Sequence, residues 1–371
     1  MAGDSGLCIP KTADCIPEIR SIIMKNGILQ TVYPTIGKYA EEEQSAFLQQ
    51  LADALQQQHY ATLKQTVLQA HEGEQVLEKL AQAGFRCIAL KGWEMRKLYP
   101  SMTMRQMADL DVLVRPYEYR RIRPIMEKLG FTPENESSWK HDSFRKGEVH
   151  VEMHKRLTDD SDEIQSWECE MWNRAVPVKG NIFRMSPEDY YIFHFVHLHK
   201  DFMNGSLGLR RIVDTWLLQK RGRDMEYVRK KLEGFGMWAF HERMVALSHA
   251  AMGDGPIDEN CEIMLSHAFK HGIYGTEVSY KTGRIAAMGK DLNSGKRKSA
   301  IAAVFLPYKR MKAQFPILEK WPILLPWCWL RRIVHFLRGN TKKNREMLDY
   351  SRIDEQDFEE MKRFFEAGGV R

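Results

Sequence analysis

Cysteine is scarce in this sequence and unpatterned. Cys8, Cys15, Cys87, Cys169, Cys261 and Cys328 include no C-x-x-C pair and no zinc-finger spacing, so neither a structural zinc nor a disulfide framework is expected. No cationic stretch followed by an apolar run opens the chain, and no later run reaches the roughly eighteen apolar residues of a spanning helix. The expectation is a reduced, cytoplasmic protein with no transmembrane segment. Repeats of fixed period and long low-complexity tracts are also missing, and 28% charged residues beside 43% hydrophobic ones exclude a disordered chain over most of the length. Charge of one sign is in short supply too: Lys and Arg exceed Asp and Glu by six over 371 residues. That surplus reads as spread along the chain, permitting phosphate-bearing ligands without demanding nucleic acid.

What is present suffices for a sizeable core, with 43% hydrophobic residues and length for about two to three structural units. Residues 1–83 read as an N-terminal helical region packing on a core. Within it, 41–84 has no proline, and Leu51, Leu55, Leu63, Val67, Leu68, Val76, Leu77 and Leu80 recur at helical spacing, predicting two consecutive amphipathic helices. Residues 84–158 read as an α+β unit. A strand at 87–90 meets a turn at Lys91-Gly92 and a short helix, and a second strand covers 108–114. A helix over 117–129 follows, kinked at Pro124 and closed by Gly130, and a third strand covers 148–154. The acidic cluster Asp159, Asp160, Asp162 and Glu163 marks 159–186 as a solvated linker and connecting segment, and 187–371 reads as helical throughout. The fold class is α+β: a small mixed sheet flanked by helices, with a larger all-helical C-terminal region.

The chemistry sits on the strands. Side chains two apart on a strand share a face, so Asp109 and Asp111 point one way while Leu110, Val112 and Val114 point the other. Val149, Val151 and Met153 likewise oppose His150, Glu152 and His154. Paired carboxylates repel unless a cation neutralises them, and Mg²⁺, or Mn²⁺, is the hard ion such a site suits. With Glu152 on a neighbouring strand, three carboxylates can hold two ions for in-line phosphoryl displacement. His150, Glu152 and His154 also read as a transition-metal cluster.

Leu90-Lys91-Gly92, Leu98-Tyr99-Pro100, Arg105 and Asp109-Leu110-Asp111, in this order, resemble the uncharacterised nucleotidyltransferase family of the DNA polymerase β-like superfamily. Phe195-Val196-His197, Gly208-Leu209-Arg210 and Asp214 look like its helical segment, and Leu306-Pro307-Tyr308, Phe315-Pro316 and Leu324-Leu325-Pro326 extend the likeness. The resemblance implies Asp109, Asp111 and Glu152 as metal ligands and catalytic carboxylates, and a nucleoside triphosphate as substrate. Gly92 stands where the superfamily commonly has Gly-Ser, with Trp93 following and Lys91 as the compensating charge. Arg105 is a phosphate ligand or a structural ion pair. Arg210, with Lys200, Arg211 and Asp214, belongs to the other wall of a cleft or, with Asp214, to an i, i+4 surface pair.

The expected function is transfer of a nucleoside monophosphate from an NTP to an unknown small-molecule or protein acceptor hydroxyl, with no specific nucleic acid as partner. A degenerate nucleotide-binding or scaffold protein and a His/Glu metallohydrolase are the alternatives. The most apolar stretch, 321–330, is followed by Arg331 and Arg332. It reads as core of the helical half, with Trp327 and Trp329 buried, and otherwise as a membrane-surface anchor.

Overall fold

A computed structural model describes residues 13–115, 121–135, 141–157, 161–338 and 349–370. The chain forms two compact units, one of residues 1–192 and 208–228, the other of 193–207 and 229–371.

In the first unit, α1 (Ile16–Lys25), α2 (Leu29–Glu42) and α3 (Ala46–Gln82) lead into a seven-stranded mixed sheet. Its elements run β1 (Cys87–Ala89), α4 (Gly92–Met95), β2 (Leu110–Val114), α5 (Ile122–Lys128), β3 (Thr132–Asn135), β4 (His141–Lys146), β5 (Val149–His154), α6 (Asp162–Arg174), β6 (Val176–Lys179) and β7 (Ile182–Arg184). The start of α7 (Pro187–Met203) and α8 (Leu209–Gln219) complete it. The strand order is β3-β4-β5-β2-β1-β7-β6. Two pairs are parallel, β2 with β5 and β1 with β7, and the remainder antiparallel.

Helix α3 corrects the expectation of two helices over 41–84. It runs unbroken for 37 residues from the cap Ser45, whose hydroxyl accepts from the Leu48 amide. Its first half packs Leu51 and Leu55 against Ile23, Ile28 and Leu29 of the preceding helices, and its last turns put Val76, Leu77 and Leu80 on the sheet. One helix thus serves two cores. Between them the inward positions are Thr66, Gln69 and Gly73, while Val67 and Leu68 are exposed, so the apolar stripe read from the sequence is interrupted. The internal glycine does not break the helix; it makes room for Trp93, whose ring would lie 2.6 Å from a Cβ at residue 73.

The stretch expected to be a linker holds α6 and the β6–β7 hairpin at the sheet edge. Asp162 and Glu163 form the first turn of α6, where carboxylates favour the helix dipole, behind the cap Ser161; Asp159 and Asp160 lie outside the described residues. Pro124 kinks nothing, because α5 starts at Ile122 and a first-turn proline removes no helical hydrogen bond; residues 116–120 lie outside the described residues.

The second unit is helical in its described residues. From α9 (Met225–Gly234) the chain enters it and continues through α10 (Trp238–Met252), α11 (Glu259–His271), α12 (Glu277–Met288), α13 (Leu292–Val304), α14 (Tyr308–Gln314), α15 (Ile317–Lys320) and α16 (Leu325–Arg338) to a last helix, Glu355–Ala367. Phe202 is central, stacking on Phe364 at 4.1 Å and meeting Phe240 at 5.0 Å between ring centroids. No helix among the described residues is long and apolar enough to cross a membrane.

Two helical glycines give opposite predictions. A Cβ at Gly37 in α2 meets nothing within 4 Å, so Gly37→Ala should stabilise by about 0.5–1 kcal/mol through reduced backbone entropy. Gly73→Ala drives a methyl into Trp93 and should destabilise by about 1–3 kcal/mol. Melting temperatures of the two variants check this, and equal shifts of one sign would contradict the Gly73–Trp93 packing.

Candidate active site

The sheet's two faces are sorted as strand alternation requires. Leu110, Val112, Val114, Val149, Val151 and Met153 join the core under α3 and α5. The same alternation turns Asp111 and, one residue before β2, Asp109 to the opposite face, together with His150, Glu152 and His154 of β5. Parallel pairing sets Asp111 directly opposite Glu152.

The Asp111 carboxylate is buried, and its Oδ1 accepts from Lys91 Nζ at 2.9 Å and His154 Nε2 at 2.6 Å. The same His154 nitrogen lies 3.2 Å from Glu152 Oε2, and His141 Nε2 lies 3.7 Å from Glu152 Oε1. Ligand-capable atoms of Asp109, His150 and Glu152 all lie within 4.8 Å of one another, as do those of His141, Glu152 and His154. Glu152 belongs to both trios. The expected cluster of His150, Glu152 and His154 is therefore divided: His150 stands with Asp109, and His154 with His141. His141 was not foreseen because β4 was not read as a strand.

The electrostatics follow from burial and partners. Burial alone would raise the Asp111 carboxyl, but Lys91 and His154 outweigh it and hold it well below the ordinary range. Burial likewise opposes charge on Lys91 and on His154, yet Asp111 raises both above their usual values. Glu152 is lowered, its burial overcome chiefly by the hydrogen bond from His154. Asp109 moves the other way, pushed up to about 6 by burial and then by the charge of Asp111. A hard divalent cation fits this donor set, because it relieves the penalty on ionised Asp109.

Neighbouring elements hold the site rigidly. Lys91 has φ +40° and ψ −114°, a sparsely populated positive-φ conformation costly for a residue with a side chain, and the Tyr190 hydroxyl donates to its carbonyl at 2.7 Å. A Cβ on Gly92 would stand 2.6 Å from Arg105 Nη1 and 2.7 Å from Met107 Cγ, so packing inside the protein demands this glycine. Trp93 is buried, with the Arg96 guanidinium 3.8 Å from its ring; it faces the core rather than the aspartates. The approach to β2 is pinned at alternate carbonyls. Met104 accepts from Thr31 at 2.8 Å, Gln106 from Arg210 at 3.1 Å and Ala108 from Gln69 at 3.1 Å.

Two expected phosphate ligands are placed elsewhere. Arg105 is buried, and its Nε and Nη2 donate to Asp214 at 2.9 and 2.8 Å, with the Tyr99 hydroxyl on the same carboxylate at 2.8 Å. Its role is the structural ion pair. Arg210 is buried against Gly27 and holds the Gln106 carbonyl, and Asp214 is not on the surface, so the exposed Arg210–Asp214 pair gives way to an internal network. A cavity of about 360 Å³ opens beside Tyr190, lined also by Glu94, Leu98, Tyr191, Arg221 and Arg223; none of the three carboxylates lines it.

A seven-stranded mixed sheet that aligns three carboxylates on one face, with helices on the other, defines a nucleotidyltransferase-type α+β unit. The chain belongs to the uncharacterised nucleotidyltransferase family, whose model matches residues 16–253. No curated protein and no solved structure matches it. The match starts well before residue 80, taking in α1 to α3, and ends before Leu306-Pro307-Tyr308 and the later segments that seemed to extend the likeness.

Two predictions follow from the buried charges. Because Asp109 keeps a proton in the folded protein between its ordinary 3.8 and about 6, stability falls as pH rises through that window and is level above it. With chelator present, Asp109→Asn should therefore raise stability at neutral pH, by at most about 3 kcal/mol. The gain should vanish near pH 4, and a gain equal at both pH values in calorimetry would contradict the shift. Asp214→Ala leaves the Arg105 charge buried without its carboxylate and should destabilise by about 3–5 kcal/mol, whereas Arg105→Met with Asp214→Leu should lose less; chemical denaturation decides.

Proposed function

We propose that this chain transfers a nucleoside monophosphate from an NTP to an acceptor hydroxyl, releasing pyrophosphate. Asp109, Asp111 and Glu152 would hold Mg²⁺ or Mn²⁺. The single observation that carries the reading is the register of Asp111 against Glu152 on adjacent parallel strands, with Asp109 two residues upstream on the same face. Such an ion, when bound, supplies charge neutralisation for the phosphoryl oxygens and lowers the pKa of an attacking hydroxyl. His154 orients Asp111 and Glu152 through one ring nitrogen. Lys91 offers a point charge for phosphate oxygens, the role left to it once Arg105 and Arg210 are engaged inside the fold. Glu152 serves as ligand or accepts the acceptor's proton.

A nucleotide-binding protein without transfer is the second reading, favoured by the neutralisation of Asp111 by Lys91 and His154 without any ion. A metallohydrolase centred on Glu152 draws on its two neighbours His141 and His154. The decisive experiment incubates the protein with each α-labelled NTP, Mg²⁺ or Mn²⁺, and fractionated small-molecule and protein acceptors. Label transfer is expected, reduced at least about a hundredfold in Asp111→Asn and Glu152→Gln. Nucleotide binding by calorimetry without any transfer would favour the second reading, and tightly bound zinc or iron in protein purified without added metal would favour the hydrolase.

A further inference from the structure

The segment from α13 to α16 leaves much of its apolar surface uncovered. Its own core is small: Met311, Leu318 and Cys328, backed by Leu306, Phe315, Leu324, Leu325 and Trp329. Trp329 meets the sequence expectation in part, half-buried with its indole N–H donating to the Leu306 carbonyl at 3.0 Å. Trp327 does not, being 50% exposed, and Trp321 is 60%, Leu330 59% and Ile323 84% exposed. On α16, Trp327 and Leu330 are three apart and share one side, while Cys328 on the other is buried. Ile323 lies one turn before Trp327, on the 3₁₀ turn Pro322–Leu324. Four large apolar side chains facing water within ten residues exceed the singly scattered ones that need no explanation.

The charge around them is of one sign. Residues 292–338 contain ten Lys and Arg and one acidic residue, Glu319, against an excess of six for the whole chain. The surplus that read as evenly spread is thus concentrated here, and the rest of the chain is net acidic. Glu319 is itself paired with Lys312 at 3.3 Å. The Arg331 guanidinium stands 5.7 Å from the Trp327 ring and 5.9 Å from Phe315, beside the exposed apolar residues. The segment also lies outside the span matched by the nucleotidyltransferase family.

We propose that residues 321–332 dock this protein on the surface of an anionic lipid bilayer. Trp321, Ile323, Trp327 and Leu330 enter the interfacial layer, and Lys320 and Arg331 meet the lipid phosphates. Tryptophan is the residue of that layer, and an apolar side flanked by Lys and Arg is the signature of a helix lying in it. At 14 residues, with Pro326 in its first turn, α16 is too short to span. Diffuse negative charge also suits ten basic residues better than a protein partner's few fixed carboxylates do.

The test is sedimentation of the full chain with vesicles of phosphatidylcholine alone and of phosphatidylcholine mixed with phosphatidylserine. Binding is expected to the mixed vesicles, weakened by salt and accompanied by a blue shift of tryptophan emission. Trp321→Ser with Trp327→Ser, and separately Arg331→Glu, should each reduce it about tenfold, whereas Lys230→Glu on α9 should not. Because these side chains are exposed, unchanged melting temperatures are expected and verify folding. The proposal is overturned by absence of binding, by binding that survives the tryptophan changes, by displacement with soluble glycerophosphate, or by tryptophan-dependent self-association without vesicles, which would make a second copy the occupant.

Discussion

Asp111 is buried, ionised and set opposite another carboxylate by the pairing of two parallel strands. Left alone, that arrangement would be strongly unfavourable, since burial and like charge both oppose ionisation. Lys91 and His154 make it tolerable, one from the turn after β1 and the other from β5. Each is drawn to a conformation it would not otherwise favour. Lys91 sits at φ +40°, a strain of about 1–3 kcal/mol for a residue with a Cβ, and Asp111 holds the His154 imidazole above its usual pKa although burial opposes its charge. The strain and the ion pair are two sides of one constraint: the backbone at residue 91 must turn sharply for Nζ to reach Oδ1, and the Tyr190 hydroxyl holds the carbonyl of that turn.

A second buried ion system fixes where the first one lies. Arg105 and Tyr99 converge on Asp214 of α8, tying the loop before β2 to a helix more than a hundred residues later. Breaking it would uncover a buried charge, so the loop has little freedom. Carbonyls at Met104, Gln106 and Ala108 are taken by three different helices, α2, α8 and α3. Asp109 therefore starts from a fixed point, and its elevated pKa reflects a position imposed by the scaffold rather than a side chain able to swing toward water.

The faces of β2 and β5 were legible because strand alternation is a local property: DLDV over 109–112 and VHVEMH each sort polar from apolar without reference to partners. The outer strands β3 and β6 and their neighbours β4 and β7 were not, since they carry mixed residues such as Pro133, Pro177 and Lys179 whose placement is set by neighbours. His141 was lost with β4. The continuity of α3 was hidden by the gap in its apolar stripe around Thr66, Gln69 and Gly73; at Gly73 the space of the missing side chain is taken by Trp93. Arg105 and Arg210 carry no mark distinguishing a phosphate ligand from a buried structural cation; the partners that decide it, Asp214 for Arg105 and the Gln106 carbonyl for Arg210, each lie about a hundred residues away. The glycine-tryptophan pair at 92–93 was legible as a departure from the expected turn, but its cause, packing by Arg105, Met107 and α3, is tertiary.

On the proposed reading, the engagement of Lys91 has a thermodynamic consequence. A triphosphate that draws on the Lys91 ammonium weakens its hold on Asp111 and leaves that carboxylate more dependent on His154. A divalent cation among the carboxylates offsets that loss, and it also removes the penalty that burial and Asp111 impose on ionised Asp109. Each ligand thus lessens a cost that would otherwise fall on binding the other. Linkage then requires the two affinities to rise by the same factor, so nucleotide and cation bind this site cooperatively. A turn with a serine hydroxyl beside its glycine would share the phosphate load and loosen the coupling. With Trp93 in the core, Lys91 carries that load at the turn, and the coupling is correspondingly tight.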